Sequence, residues 1–166
     1  MTEPPRNLTR HTGAVSRQDR ERRLGQRGAV VWFPGLCKDL GFAPQDRTEN
    51  IRRVGEVAAL LVDVGVLVLT SFISPYRSDR ARVREIVGAD FVEVFVDAPL
   101  AVCEARDPKG LYQKARAGEI AEFTGITAPY EAPDHPDLHL HTGTQSLAEC
   151  AAAVHDLLTA RRLLPP

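Results

Sequence analysis

A chain of 166 residues is long enough for one domain with a buried core. Its 43% hydrophobic and 26% charged residues are the balance of an ordinary globular protein, not of a disordered or membrane-embedded one. A net charge of −1 supplies no field that would draw the chain to nucleic acid or to an anionic membrane, so neither is an expected partner.

Residues 1–28 are polar and basic, with seven arginines against three acids. Ser16 and Asp19 stand at capping-box spacing, which predicts a short helix over about 17–24. This arm reads as a solvated extension or as a contact to a partner or nucleotide phosphate. Residues 29–33 (AVVWF) are a short apolar run after Gly28 and read as a buried strand ended by Pro34-Gly35. Asp46, three residues before Glu49, is the expected start of a helix over 46–64. Ile51, Val54, Val57, Ala58, Leu61 and Val64 recur there at helical spacing, and Gly65 is the stop. Residues 66–70 are the next predicted strand. Ser78 or Asp79 opens a helix that carries Val83, Ile86 and Val87 and closes at Gly88. A third strand is predicted over 91–96 and a short helix over 99–105. Residues 106–130 are polar, basic and punctuated by glycine, which suits a lid more than a core element. A fourth strand is predicted over 138–141. A final helix runs from Ser146 to about Leu158, with Ser146 and Glu149 as its capping box, and 161–166 form a tail. Apolar strands alternating with helices predict an α/β fold, with a parallel sheet covered by helices on both faces.

All but three of the 21 basic residues are arginine, the exceptions being Lys38, Lys109 and Lys114. Arginine grips planar oxyanions through paired hydrogen bonds. Cys37, Cys103 and Cys150 are far apart and form no C-x-x-C, so free thiols are expected. No apolar signal core follows Met1, and the apolar run 64–69 is too short to span a bilayer. The expected location is therefore cytoplasmic.

The most specific signal is an ordered series of motifs. Residues 41–58 read GF-x-P-x-DR-x-EN-IRR-x-GEVA, followed by SFISPYR (71–77), VFVDAPLAVCEARDPKGLY (94–112), KARAGEI (114–120) and FTGITAPYE (123–131). The series resembles adenylyl-sulfate kinases, P-loop enzymes that use Mg²⁺ and ATP to phosphorylate the 3′-hydroxyl of adenosine 5′-phosphosulfate in sulfate assimilation. The resemblance implies a P-loop kinase-like domain over 29–160, with about four strands remaining in the order 66–70, 29–33, 91–96, 138–141. It implies that Phe42 and Phe123 hold the adenine of adenylyl sulfate; stacking is worth about 1–3 kcal/mol per base. Arg47 and Asn50 match contacts to the phosphosulfate, at a helix start that itself favours anions. Ile73 and Ser74 match the loop beyond the strand 66–70, where Ser74 is the family's active-site serine, described there as a phosphoserine intermediate. No base is adjacent to Ser74 in sequence, which favours hydrogen bonding to substrate over a covalent role. Lys109 matches a further substrate contact, and Arg77 and Arg106 are possible phosphate or lid contacts. Glu122 stands where the family usually has a small glycine.

One part of the family pattern is missing. No G-x-x-x-x-G-K-[ST] occurs anywhere in the chain. Gly35-Leu36 joins directly to Cys37, where the resemblance implies a phosphate loop, a helix and a strand ending in D-G-D-N, a unit of roughly 30 or more residues. That loop's backbone N–H groups, its Lys and its Mg²⁺-holding hydroxyl carry most of phosphoryl-transfer catalysis. Asp39 and Asp46 are the carboxylates left nearby, with loop turn and helix cap as sufficient roles. Loss of the helix would also expose apolar surface and invite dimerisation. His139 and His141 alternate on one strand face near His135, but no carboxylate/His helix motif accompanies them and the family resembled uses no such pair, so no metal site is expected. Three readings follow: an adenylyl-sulfate kinase impaired in catalysis; a non-catalytic protein binding adenylyl sulfate or nucleotide, as a homodimer or with a kinase or sulfate adenylyltransferase; and a non-functional deletion product.

Overall fold

The computed structural model describes residues 35–164. The expected strand over 29–33 and the helix over about 17–24 lie outside the described residues. The elements in order are α1 (Pro44–Asp63), α2 (Arg77–Val87), a single 3₁₀ turn (Gly88–Asp90), β1 (Val94–Asp97), α3 (Leu100–Arg106), α4 (Leu111–Arg116), β2 (Leu138–His141) and α5 (Leu147–Ala160).

Helix α1 starts before Asp46, which corrects the expected cap. Its N-cap is Ala43, with no side-chain cap, and Pro44 occupies the first turn. A proline is tolerated there because its missing N–H would have no helical partner anyway. Asp46 lies inside the first turn and accepts from the Gly41 N–H at 3.0 Å. The helix ends before Gly65, whose φ of 84° is the left-handed conformation that glycine permits. Helix α2 likewise starts without a side-chain cap, at Tyr76. Asp79, expected near the cap, is instead buried and accepts from Thr48 Oγ1 of α1 at 3.1 Å. The two helices approach closely at Gly55, where a Cβ would stand 3.0 Å from Val83 Cγ2. Helix α5 follows its sequence signal: Glu149 N–H donates to Ser146 Oγ at 3.3 Å, and Ser146 N–H donates to the Glu149 carboxylate at 2.7 Å.

Strands β1 and β2 pair in parallel, with Val94 opposite Leu138 through to Asp97 opposite His141. This is the adjacency expected for 91–96 and 138–141. Among the described residues the sheet has two strands and not about four. Residues 66–70 have no ladder partner there, because a strand is defined by its neighbour and the expected neighbour, 29–33, lies outside the described residues. The lid also carries more structure than expected. Asp107 accepts from the N–H groups of Leu111 and Gln113 at 2.8 and 3.0 Å, which starts α4 inside it. An isolated bridge joins Thr124 to Ala128.

Buried apolar residues among those described are few: Ile51, Ala115, Leu140, Cys150 and Leu158. Leu60, Val64, Leu69, Phe72, Ile73 and Val96 are exposed. No described helix is long and apolar enough to cross a membrane.

The Gly55 contact gives a direct test of the α1–α2 packing. Gly55→Leu forces a branched side chain against Val83 and is expected to cost about 1–3 kcal/mol, read as a lower urea midpoint with an unchanged slope.

Candidate functional site

The sequence places candidate ligand-binding residues on four separate segments, and arginines bring three of them together. Arg47, in the first turns of α1, donates from Nε to the Phe42 carbonyl at 2.9 Å. Its Nη1 donates to Thr124 Oγ1 at 2.5 Å, and its Nη2 donates to the Glu122 carbonyl. One guanidinium thus ties the segment carrying Phe42 to the segment carrying Phe123, 81 positions later in a chain of 166. Phe42 is 83% exposed, so its ring face is open. Phe123 is half-buried, with its ring edge-on to Tyr112 at 5.0 Å between centroids. Three of the five guanidinium donors are spent in this clasp, leaving two for an anion.

A second arginine, missed in the sequence, holds the serine loop. Arg80 donates to the Ser74 carbonyl and to the Glu131 carbonyl, both at 2.6 Å, and pairs with Glu93 at 2.8 Å. Pro75 C=O accepts from Glu131 N–H at 2.9 Å. Ser74 itself has φ 40° and a buried Oγ with no hydrogen-bond partner among the described residues. Strained backbone and an unpaired buried hydroxyl are each costly, and such costs concentrate at ligand sites. Ile73 beside it is 66% exposed. The signals for Arg80 and Glu131 were present: Arg77, Arg80 and Arg84 recur at helical spacing, and Glu131 closes the FTGITAPYE motif.

Arg77 and Arg106 are engaged with main chain. Arg77 donates to the Ala132 carbonyl at 2.6 Å and pairs with Asp134 at 3.2 Å. Arg106 donates to the Thr142 carbonyl at 2.8 Å, joining the end of α3 to the segment after β2. Asn50 is half-buried on α1, and Lys109 is exposed between Asp107 and the left-handed Gly110. The structure does not bring Lys109 into either arginine clasp. His139 and His141 share a sheet face, as predicted, and Asp97 joins them there: His139 Nε2 lies 3.0 Å from Asp97 Oδ2.

The carboxylates near the Leu36–Cys37 junction are committed. Asp39 forms a two-pronged pair with Arg53 at 2.7 and 2.8 Å, and Arg53 also reaches Glu49 at 2.8 Å. The Arg52 guanidinium beside Glu49, helped by Arg53, holds its carboxyl down at about 2. Hydrogen bonding from Arg53 also lowers Asp39.

The adenylylsulphate kinase family profile matches residues 16–141, more than half of the chain. The chain belongs to the adenylyl-sulfate kinase family. It is 45% identical to the adenylyl-sulfate kinase of Erwinia tasmaniensis over 202 aligned positions that take in the whole of both chains. It is 50% identical to that of Aeromonas salmonicida over 192 positions, covering 94% of this chain and 96% of the other. The Mycobacterium tuberculosis APS kinase, solved in complex with AMPPNP and APS, superposes with a TM-score of 0.72 at 55% identity, covering 75% of this chain and 73% of that one. The parallel sheet flanked by helices is accordingly the P-loop kinase fold of this family.

Two predictions test the site's construction. Glu122 has φ 51°, a conformation that a side chain makes costly and glycine does not. Its bond to Arg47 uses the carbonyl and not the side chain, so Glu122→Gly is expected to stabilise the chain by up to about 1 kcal/mol, measured by thermal unfolding. For acid stability the sign follows from Glu49: a carboxyl held lower in the folded chain than its ordinary 4.5 contributes above that value and loses its contribution as pH falls toward about 2. Glu49→Gln should flatten that part of a stability–pH profile, and an unchanged profile would show that the Arg52–Glu49–Arg53 cluster contributes nothing.

Proposed function

We propose that this chain recognises adenylyl sulfate on the acceptor side of the family's site and is impaired in phosphoryl transfer from ATP. The observation that carries the reading is the Arg47 clasp. It holds the segments of Phe42 and Phe123 together in a chain that has no G-x-x-x-x-G-K-[ST]. In the proposed complex the adenine stacks between the two rings. The spare donors of Arg47, Asn50 and the N–H groups at the start of α1 face the phosphosulfate. Ser74 Oγ donates to the ligand as a hydrogen-bonding group, with Ile73 as an apolar wall. No described base bonds to its hydroxyl, so nucleophilic use of Ser74 is not part of the proposal. Lys109 closes over the ligand from the lid, while Arg77 and Arg106 position main chain.

Mg²⁺ and ATP belong to the family's chemistry, and the described residues do not fit them. The segment 35–42 reads GLCKDLGF and offers neither the loop Lys-Ser/Thr pair nor a free carboxylate. Asp39 is taken by Arg53, and Asp46 by the Gly41 N–H. The alignment to the Erwinia tasmaniensis enzyme supports the same reading. It spans 202 positions and takes in all of a 166-residue chain, so at least 36 of those positions carry no residue here. That number is about the size of a loop–helix–strand unit. The proposed setting is cytoplasmic sulfate assimilation.

Calorimetry with adenylyl sulfate tests binding, and chromatography of product with excess Mg-ATP tests transfer. The expected affinity is micromolar, about −8 kcal/mol. Phe123→Ala should remove about 1–3 kcal/mol of it, and Arg47→Ala should weaken it by releasing both segments. No heat and no thermal shift at millimolar ligand would sink the recognition half. Turnover in the usual kinase range of about 1–100 s⁻¹ would sink the impaired half.

A further inference from the structure

We infer that Asp97, His139 and His141 form a binding site for a divalent transition-metal ion of the zinc type, at the carboxyl end of the sheet. The inference does not rest on the adenylyl-sulfate reading. In β2, His139 and His141 are two residues apart and so project from the same face. The parallel register sets Asp97, the last residue of β1, directly beside His141. The three side chains each offer one donor atom, and these atoms all lie within 4.8 Å of one another. Asp97 Oδ2 is 3.0 Å from His139 Nε2 and 3.9 Å from His141 Nδ1. Zinc bound at about 2.0–2.1 Å from nitrogen and about 2.0–2.2 Å from oxygen sets tetrahedral donors about 3.4 Å apart. The observed separations bracket that value, so small side-chain rotations suffice.

The donors also stand on supported backbone. Thr142 N–H and Oγ1 both donate to the Asp97 carbonyl at 2.8 Å. His141 N–H donates to Gln145 Oε1 at 2.6 Å. The Phe95 ring lies 4.7 Å from the His139 ring, centroid to centroid, and packs against it. Donors held on strands by such contacts lose little freedom on binding an ion. All three are partly exposed, so an ion has an entry path and room for a water as fourth ligand. Two imidazoles and one carboxylate select zinc-like ions over Mg²⁺, which prefers an all-oxygen shell.

The test is titration of zinc alone into the metal-free full chain by calorimetry, with cobalt absorption as a second readout. The expected result is one equivalent bound with a micromolar Kd, weakened at least tenfold in His139→Gln and in His141→Gln. His155→Gln, on α5, should leave it unchanged. Far-UV circular dichroism shows whether each variant keeps its fold, and Asp97→Asn supplies a third variant should one of the histidine changes disturb the strand. A parent Kd in the millimolar range would overturn the proposal. So would parent-like affinity in the folded His139→Gln/His141→Gln double variant. A thiolate-to-cobalt charge-transfer band would also overturn it, by placing the ion on cysteine.

Discussion

Main-chain carbonyls of the irregular segments are held by arginine side chains. Arg47 takes those of Phe42 and Glu122, Arg80 those of Ser74 and Glu131, Arg77 that of Ala132, Arg106 that of Thr142 and Arg53 that of Leu36. These carbonyls have no ladder or helix to satisfy them, and a polar group removed from water needs a partner. A guanidinium meets the need because its planar fork of donors can span two carbonyls at once, which an ammonium on a flexible stem does poorly. A hydrogen bond to a charged group is worth about 1.5–3 kcal/mol at best, and less for those of these bonds that face water. Their number, more than their individual strength, positions the region between α3 and β2. The near-absence of lysine in the composition has its structural use here.

This arrangement makes the candidate acceptor site depend on two helices. Helix α1 supplies the clasp on the lid near Phe123, and helix α2 supplies the clasp on its far end at Glu131. Both helices are locked together by the close approach at Gly55 and by the Thr48–Asp79 bond. Loosening either helix would therefore move the lid without touching a ligand. The same commitment limits the chemistry available: guanidiniums spent on main chain, and Asp39 spent on Arg53, are not available to carry metal-bound triphosphate. The proposed separation of acceptor binding from phosphoryl transfer rests on where these donors have gone.

The two-stranded sheet shows the same division of labour by face. Val94, Val96, Leu138 and Leu140 point one way, with Leu140 buried, while Phe95, Asp97, His139 and His141 point the other. Strand alternation sends each residue to its face, and the parallel register decides which partners meet there. The aromatic and polar face carries Tyr130, stacked on Phe95 at 6.1 Å, with Arg80 5.9 Å above the Tyr130 ring. The sheet, the serine loop and the end of the lid are therefore parts of one contiguous surface.

Local signals were legible without coordinates. The capping box at Ser146 and Glu149, the apolar spacing of Ile51 through Leu61, the Gly65 stop and the strand at 138–141 all act within a few residues, so sequence order contains their partners. Family membership was legible too, because ordered motifs at set spacings survive the absence of the phosphate loop. The cap of α1 was misread: Pro44 sets the first turn sterically, while Asp46 finds Gly41 instead. Other features belonged to the tertiary structure alone. Arg80 meets Glu131, Arg47 meets Glu122, and Asp97 meets two histidines across 51, 75 and more than 40 positions. No local propensity encodes such meetings. They follow from how helices and strands pack, and side-chain donors go to whichever unpaired acceptor that packing brings within reach.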